Sequence, residues 1–347
     1  MKAARLYNYD EKCKGPEFLR VETVPDPVPE NPSDVIVRIG GAGLCRTDLH
    51  IIEGIWRSKV TVQLPYIPGH ENAGWVEETR PSVRRFKRGD AVIVHPLVTD
   101  GLCSACRSGN DMHCENGRFP GIDSNGGFAE YLRVDERNLI PLADGLEPKD
   151  VAPYADAGLT AYHAAKKAMK LLRPGQTTVI IGVGGLGHIA LQVLRALGAD
   201  RIIAVDRSDL ALQLATDLGG DCVVKGSDRS VQKVLDLTHG TGAQVVIDFV
   251  AEGNTINEGL AMTSRGGYYF VVGYGGTINV PTIDMVFGEK SIIGNLVGTY
   301  TELQELMSLA ARGKVRLATR QYRLDQVNQA IDDLRGLRIE GRGVLVP

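Results

Sequence analysis

The stretch Thr177–Asp206 constrains the fold more than any other part of this 347-residue chain. A β-branched run, Thr178–Ile181, reads as a strand buried on both faces. Gly182-Val183-Gly184-Gly185-Leu186-Gly187 follows at once, and Leu186, Ile189, Ala190, Val193, Leu194 and Leu197 then recur at helical spacing. A second buried-strand run, Arg201–Val205, ends at Asp206. Gly182 permits the tight strand-to-helix turn, Gly184 lets the backbone approach a pyrophosphate, and Gly187 lets the helix pack closely on the sheet. The pyrophosphate would rest on the free N–H groups at the positive end of the helix. Asp206, nineteen positions beyond Gly187, is placed to accept hydrogen bonds from the adenosine ribose hydroxyls. Its charge repels a 2′-phosphate and so favours NAD over NADP, although Arg207 beside it offers NADP a partial foothold. A glycine turn alone is common; strand, turn, helix, second strand and acid in this order are not.

The same alternation extends along the chain. Strand runs Asp221–Val224, Val245–Val250 and Tyr268–Val272, with helix-length segments between them, continue a doubly wound parallel sheet. Residues 1–155 have another texture: short β-like runs such as Asp34–Ile39, Gly74–Glu78, Asp90–Val94 and Phe128–Val134, separated by Gly, Pro and Asp. They predict an irregular, mostly antiparallel β domain. After Gly294, helical spacing returns over Thr301–Arg312 and Leu324–Leu334, before a closing strand at Gly343–Val346. The expected class is α/β, about two domains.

Composition excludes several functions. A net charge of -3 gives no reason to expect a nucleic-acid partner, and Arg84–Arg88 reads as a solvated loop before a strand. No apolar stretch reaches membrane length, and Met1–Arg5 leads into polar sequence rather than a signal segment, so a soluble cytoplasmic protein is expected. Six cysteines in a chain this long suggest metal ligands rather than a disulfide framework. Cys13 and Cys222 are isolated and read as ordinary thiols, and His95, His113, His163, His188 and His239 as surface or core positions.

Asp100, Cys103, Cys106 and Cys114, spaced x2, x2 and x7, put four anionic ligands in one loop, as a closed tetrahedral zinc site that staples a loop requires. A dispersed set would supply a catalytic zinc: Cys45 in Gly41-Ala-Gly-Leu-Cys-Arg-Thr-Asp-Leu-His50, His70 in Pro68-Gly-His-Glu71, and Asp156 in Ala155-Asp-Ala-Gly-Leu-Thr160. Such a zinc takes about three protein ligands and keeps one open position. Spacing alone is weak support for a triad so far apart.

GAGLCRTDLH, PGHENAGWVEE, GGFAEY, DAGLTAYHA, IGVGGLGHIALQ and the terminal GRGVLVP together resemble the zinc-dependent medium-chain alcohol dehydrogenases over essentially the whole chain. With a carboxylate at 100 and at 156, the pattern is closest to tetrameric bacterial and archaeal members active on secondary alcohols. The resemblance implies a mostly β, GroES-like catalytic domain (residues 1–155 and 295–347) and a Rossmann NAD-binding domain (residues 156–294). It implies two zinc ions per chain and a homotetramer, with a dimer as the alternative. Position by position, Cys45, His70 and Asp156 match the catalytic zinc ligands, Glu71 an exchange ligand, and Asp48 the acid that orients the histidine. Thr47 and His50 match a proton relay. Asp100, Cys103, Cys106 and Cys114 match the structural site. Gly182, Gly184, Gly185, Leu186, Gly187, Asp206 and Arg207 match cofactor contacts, and Arg342, with Arg46, matches the pyrophosphate contact. Phe119 stands where relatives place an aromatic pocket wall, and Trp56, Tyr154 and Leu296 are further apolar candidates.

The activity implied is reversible, NAD-linked oxidation of apolar secondary alcohols to ketones or aldehydes. A polyol or sugar dehydrogenase of the same architecture is the nearest alternative. A zinc-free reductase would lack Cys45, His70 and the cysteine loop, and a non-catalytic NAD-binding protein would have a broken triad or relay.

Overall fold

The turn-rich first half forms short strands that cross back antiparallel, and the continuous apolar runs of the second form strands that need a helix to return. The computed structural model describes every residue except Pro16 and Thr61. It divides into two units, Met1–Leu159 with Gly298–Ala311 and Leu317–Pro347, and Thr160–Val297 with Arg312–Arg316.

In chain order come β1 (Lys2–Arg5), β2 (Arg20–Thr23), β3 (Asp34–Leu44), α1 (Arg46–Ile52), β4 (Glu71–Thr79) and β5 (Ala91–Val94). Next are α2 (Ser104–Arg107), β6 (Tyr131–Asp135), β7 (Leu139–Pro141), α3 (Pro148–Val151) and α4 (Ala157–Met169). Strict alternation follows: β8 (Thr177–Ile181), α5 (Gly187–Ala196), β9 (Arg201–Asp206), α6 (Asp209–Asp217) and β10 (Cys222–Lys225). It continues with α7 (Ser230–Leu237), β11 (Ala243–Asp248), α8 (Thr255–Met262) and β12 (Thr263–Val271). The chain then adds α9 (Thr282–Gly288), β13 (Ser291–Gly294), α10 (Tyr300–Ala311), β14 (Thr319–Arg323), α11 (Val327–Arg335) and β15 (Arg342–Val346).

The first unit is built on a sheet in the order β14-β15-β3-β4-β5-β7, with β6 also on β3; β1 and β2 form a separate pair. β3 is the hub, antiparallel to β4, β6 and β15. Its register sets Gly43 opposite Glu71 on β4, and Leu44 opposite Gly343 on β15. That register brings Cys45, His70, Glu71 and Arg342 to one end of the sheet. Val37, Leu44, Val94, Phe128, Leu132 and Ile331 belong to the core beneath it.

The second unit is a six-stranded, all-parallel sheet in the order β10-β9-β8-β11-β12-β13. The order reverses between β8 and β11, and the crevice beyond the carboxyl ends of those strands is where such sheets bind ligands.

Several elements are absent from the sequence reading. β13 has only two isoleucines and no readable period, and β14 (TRQYR) buries only Tyr322. The helix expected over Leu324–Leu334 begins as a 3-10 turn at Leu324–Gln326 before α11. Among the described residues, no helix is long and apolar enough to cross a membrane.

Candidate active site and metal centres

Cys45 follows the last residue of β3 and stands at the N-cap of α1. Its N–H donates to Asp48 Oδ2 at 2.8 Å, which fixes the first turn of the helix. His70, immediately before β4, has Nδ1 3.4 Å from Asp48 Oδ1 and Nε2 3.4 Å from Asp156 Oδ2. Neither buried nitrogen closes a hydrogen bond. Phe119 packs its ring edge-on against the imidazole, with centroids 5.7 Å apart. Asp156 lies between the 3-10 turn Ala152–Ala155 and α4. The ligand atoms of Cys45, His70, Glu71 and Asp156 all lie within 4.8 Å of one another.

Electrostatics point the same way. Burial disfavours charge on His70, yet the carboxylates of Asp48 and Asp156 and the Cys45 sulfur hold the imidazole well above its ordinary value. Sulfur, imidazole and carboxylates crowded together in a dry site with uncommitted lone pairs form a donor set that a divalent cation satisfies. The residues present fit zinc.

Glu71 is fully buried; its Oε1 accepts from the Ala157 N–H at 3.0 Å and from Arg342 Nη2. Burial pushes its carboxyl up, against the pull of the Arg342 guanidinium. Arg342, assigned by resemblance to the pyrophosphate, is only 4% exposed and ion-paired with Glu71. Burial opposes charge on the guanidinium, but Glu71 and Cys45 hold its pKa above the ordinary arginine value. A buried cation needs an anionic partner, and Glu71 is the carboxylate that the register of β3 with β4 and β15 supplies. The signal was present in the sequence: glycine inside a strand marks close approach. A side chain on Gly43 would begin 2.0 Å from Glu71 Oε2.

α1 also carries the relay residues. His50 is buried, Thr47 half-buried, and Arg46 exposed at the start of the helix. Thr47 and His50, three apart, share a helix face. Trp56 and Phe119 are half-buried against the core and Tyr154 is buried, whereas Leu296 is 48% exposed and shields no core.

The second constellation lies in the connection between β5 and β6. Asp100, Cys103, Cys106 and Cys114 bring their ligand atoms within 4.8 Å. Asp100 Oδ1 accepts from the N–H groups of Leu102 (2.8 Å) and Cys103 (3.1 Å), and Oδ2 from Asn116 Nδ2 at 2.7 Å. These bonds hold its carboxyl well below the usual carboxylate range. Hydrogen bonds from the Cys106 and Glu115 backbones lower the Cys103 thiol, while burial pushes Cys106 up to about 12. The donor set, three sulfurs and a carboxylate held ionised, suits a closed tetrahedral zinc.

In the second unit, Gly182 adopts φ +85°, which only glycine holds at no cost. A Cβ on Gly187 would lie 1.9 Å from the Gly182 carbonyl oxygen, so the helix can approach the strand only without one. Gly184 is exposed with nothing within 4 Å of its missing side chain, while Gly185 and Leu186 are half-buried at the start of α5, which has no side-chain cap. Asp206 accepts from Val183 N–H and Ser208 N–H, both at 2.7 Å, and this ties the end of β9 to the glycine turn. Each oxygen keeps a lone pair for a further donor. Arg207 is exposed, its Cγ 2.9 Å from where Gly226 would carry a Cβ. An open glycine turn, free helix N–H groups and a fixed acid fit the pyrophosphate and ribose of a dinucleotide.

Residues 31–144 match the family described as alcohol dehydrogenase GroES-like domain, and residues 185–312 that described as zinc-binding dehydrogenase. The chain is 35% identical over 338 residues to an NAD-dependent alcohol dehydrogenase of Sulfurisphaera tokodaii, a match covering 95% of this chain and 96% of that protein. It is 34% identical over 352 residues to the D-arabinose 1-dehydrogenase (NADP(+)) of Saccharolobus solfataricus, covering 100% and 97% respectively. The crystal structure of an alcohol dehydrogenase from the hyperthermophilic archaeon Aeropyrum pernix superimposes with a TM-score of 0.96 at 45% identity, covering 100% of both chains.

Proposed function

Because the chain belongs to the zinc-dependent medium-chain alcohol dehydrogenases, we propose that it oxidises alcohols, above all apolar secondary ones, reversibly to ketones or aldehydes with NAD. The observation that carries this reading is the buried cluster of Cys45, His70 and Asp156 beside the Glu71–Arg342 pair. Bound there, zinc supplies Lewis acidity that makes an alcohol hydroxyl acidic near neutral pH, and NAD supplies the hydride acceptor. Cys45, His70 and Asp156 hold the metal, and Asp48 orients His70 through Nδ1. Glu71, its Oε1 bound by Arg342 and the Ala157 N–H, stands by as an exchange ligand through Oε2. Thr47 would accept the alcohol proton at Oγ1 as its own hydroxyl proton passes onward, and His50 would take that proton on its imidazole and release it to solvent. Gly182, Gly184, Gly185, Leu186 and Gly187 receive the pyrophosphate and Asp206 the ribose, with Arg342 and Arg46 as the basic contacts. Asp100, Cys103, Cys106 and Cys114 hold a second, structural zinc.

The test is zinc per chain by elemental analysis, alongside reduction of NAD and NADP with 2-propanol, cyclohexanol, 1-phenylethanol, sorbitol and D-arabinose. Two zinc ions with turnover of the apolar secondary alcohols is the expected result; one zinc and no turnover refutes it. Cys45→Ser and His70→Ala abolish turnover while NAD binding survives, and wild-type activity in either overturns the metal assignment. The match to a D-arabinose dehydrogenase and the exposed Arg207 favour a second reading, a sugar or polyol dehydrogenase that accepts NADP. Turnover confined to sorbitol or arabinose would establish it.

We also propose a cytoplasmic homotetramer, with a dimer as the simpler alternative. Six free thiols suit a reducing compartment. Ile283, Val286 and Phe287 on α9 are 69–76% exposed, next in the chain to β13 at the edge of the parallel sheet, a surface suited to a second copy.

A further inference from the structure

β11 ends where the order of the parallel sheet reverses, its Asp248 paired in register with Ile181 of β8. Asp248 is fully buried, and its carboxylate is committed three times. Oδ1 accepts from the Val250 and Ala251 N–H groups, each at 2.8 Å, and Oδ2 from the hydroxyl of the equally buried Tyr269 at 2.7 Å. Burial, reinforced by Asp248, raises the Tyr269 phenol, so the hydroxyl keeps its proton and remains the donor.

The turn so held is unusual. Ala251 stands at φ +47°, a left-handed conformation that disfavours any residue with a Cβ and persists only where its surroundings impose it. The Phe249 N–H donates to the Ile181 carbonyl at 3.0 Å and ties the turn to β8. The Val250 side chain then covers Gly182, with Cγ2 2.6 Å from where a Cβ would stand. The first glycine of the cofactor turn and the Asp248 turn therefore form adjoining walls of one crevice.

In such sheets the two halves of a dinucleotide bind on opposite sides of the reversal. Asp206, at the end of β9, marks the adenosine side, so the turn after β11 falls to the nicotinamide half. Building on the NAD reading above, we infer that Asp248 and Tyr269 are positioning residues for the cofactor: together they lock the Val250–Ala251 turn against Gly182 and shape the crevice for the nicotinamide half.

Calorimetric titration of the full-length protein with NAD and with 5′-AMP tests this, because AMP occupies the adenosine side alone. Asp248→Ala is expected to weaken NAD binding about tenfold or more while AMP affinity stays within about twofold. Asp248→Asn should restore most of the loss, because its amide oxygen accepts from both N–H groups and its nitrogen donates to the Tyr269 oxygen. Equal weakening of NAD and AMP would reduce the network to general support of the fold, and unchanged NAD affinity would remove it from the cofactor site; either overturns the inference. Should Asp248→Ala fail to fold, Tyr269→Phe keeps the ring and is expected to show the same split at about threefold, with unchanged NAD affinity again decisive against it. Wild-type protein that binds neither ligand refutes the NAD reading itself, a result distinct from these.

Discussion

Gly43 and Glu71 show how closely the site is fitted at the residue scale. A methyl group at position 43 would overlap Glu71 Oε2, so Gly43→Ala must push the carboxylate away from Arg342. We expect a loss of about 1–3 kcal/mol in urea unfolding together with reduced turnover, whereas an unchanged midpoint would mean that the strand yields instead. His95 makes a second prediction. It is buried, with Nδ1 3.1 Å from the Leu97 carbonyl and Nε2 3.2 Å from that of Gly298. Burial holds its folded pKa below the ordinary 6.5. Below that pH the unfolded chain binds a proton that the folded chain refuses, so stability is full above 6.5 and falls as pH drops towards the folded value. His95→Gln should flatten the dependence of the urea midpoint on pH below 6.5. The motif residues Cys45, His70 and Asp156 were legible because their neighbours in sequence carry the pattern. The Glu71–Arg342 pair was not: its partners lie 271 positions apart, and only strand register brings them together.

At the scale of elements, the loop that carries Asp100, Cys103, Cys106 and Cys114 also braces a helix. Asp111, between its third and fourth ligands, accepts from the Tyr300 N–H through both oxygens at 3.2–3.3 Å and so finishes the first turn of α10. Loosening the loop therefore loosens a helix that enters the chain nearly two hundred residues later. Cys106→Ser is expected to lose one of two zinc ions and lower the thermal midpoint by several degrees, leaving NAD affinity intact. Retention of both zinc ions would disprove the assignment. Asp100→Asn separates the two duties of its side chain, since the amide oxygen still accepts from Leu102 and Cys103 while the charge is gone. The parallel sheet was read from its apolar runs almost strand by strand. β13 and β14 escaped because an edge strand buries too few side chains to leave a period.

For the molecule as a whole, α9 bears on how many copies assemble. The exposed face of α9 is apolar, with the Arg265 guanidinium 4.7 Å from the Phe287 ring as its cationic neighbour. Val286→Glu combined with Phe287→Asp should shift the light-scattering mass to a smaller species while each unit keeps its fold by circular dichroism. A mass unchanged from the wild type would place the interface elsewhere. Nothing in composition or periodicity reports on assembly, which is why the sequence left it to resemblance alone.

β15 lies between β14 and β3, so the last strand made is an inner one. A ribosome adding roughly 5–20 residues per second needs about 14–54 s between Glu71 and Arg342, which are 271 positions apart. Throughout that interval the nascent chain holds a carboxylate whose guanidinium has not been translated, and the Ala42–Leu44 end of β3 waits for its partner. A chain released early cannot close this sheet or neutralise Glu71. Pairing of Glu71 with Arg342 thus marks a message read through residue 342.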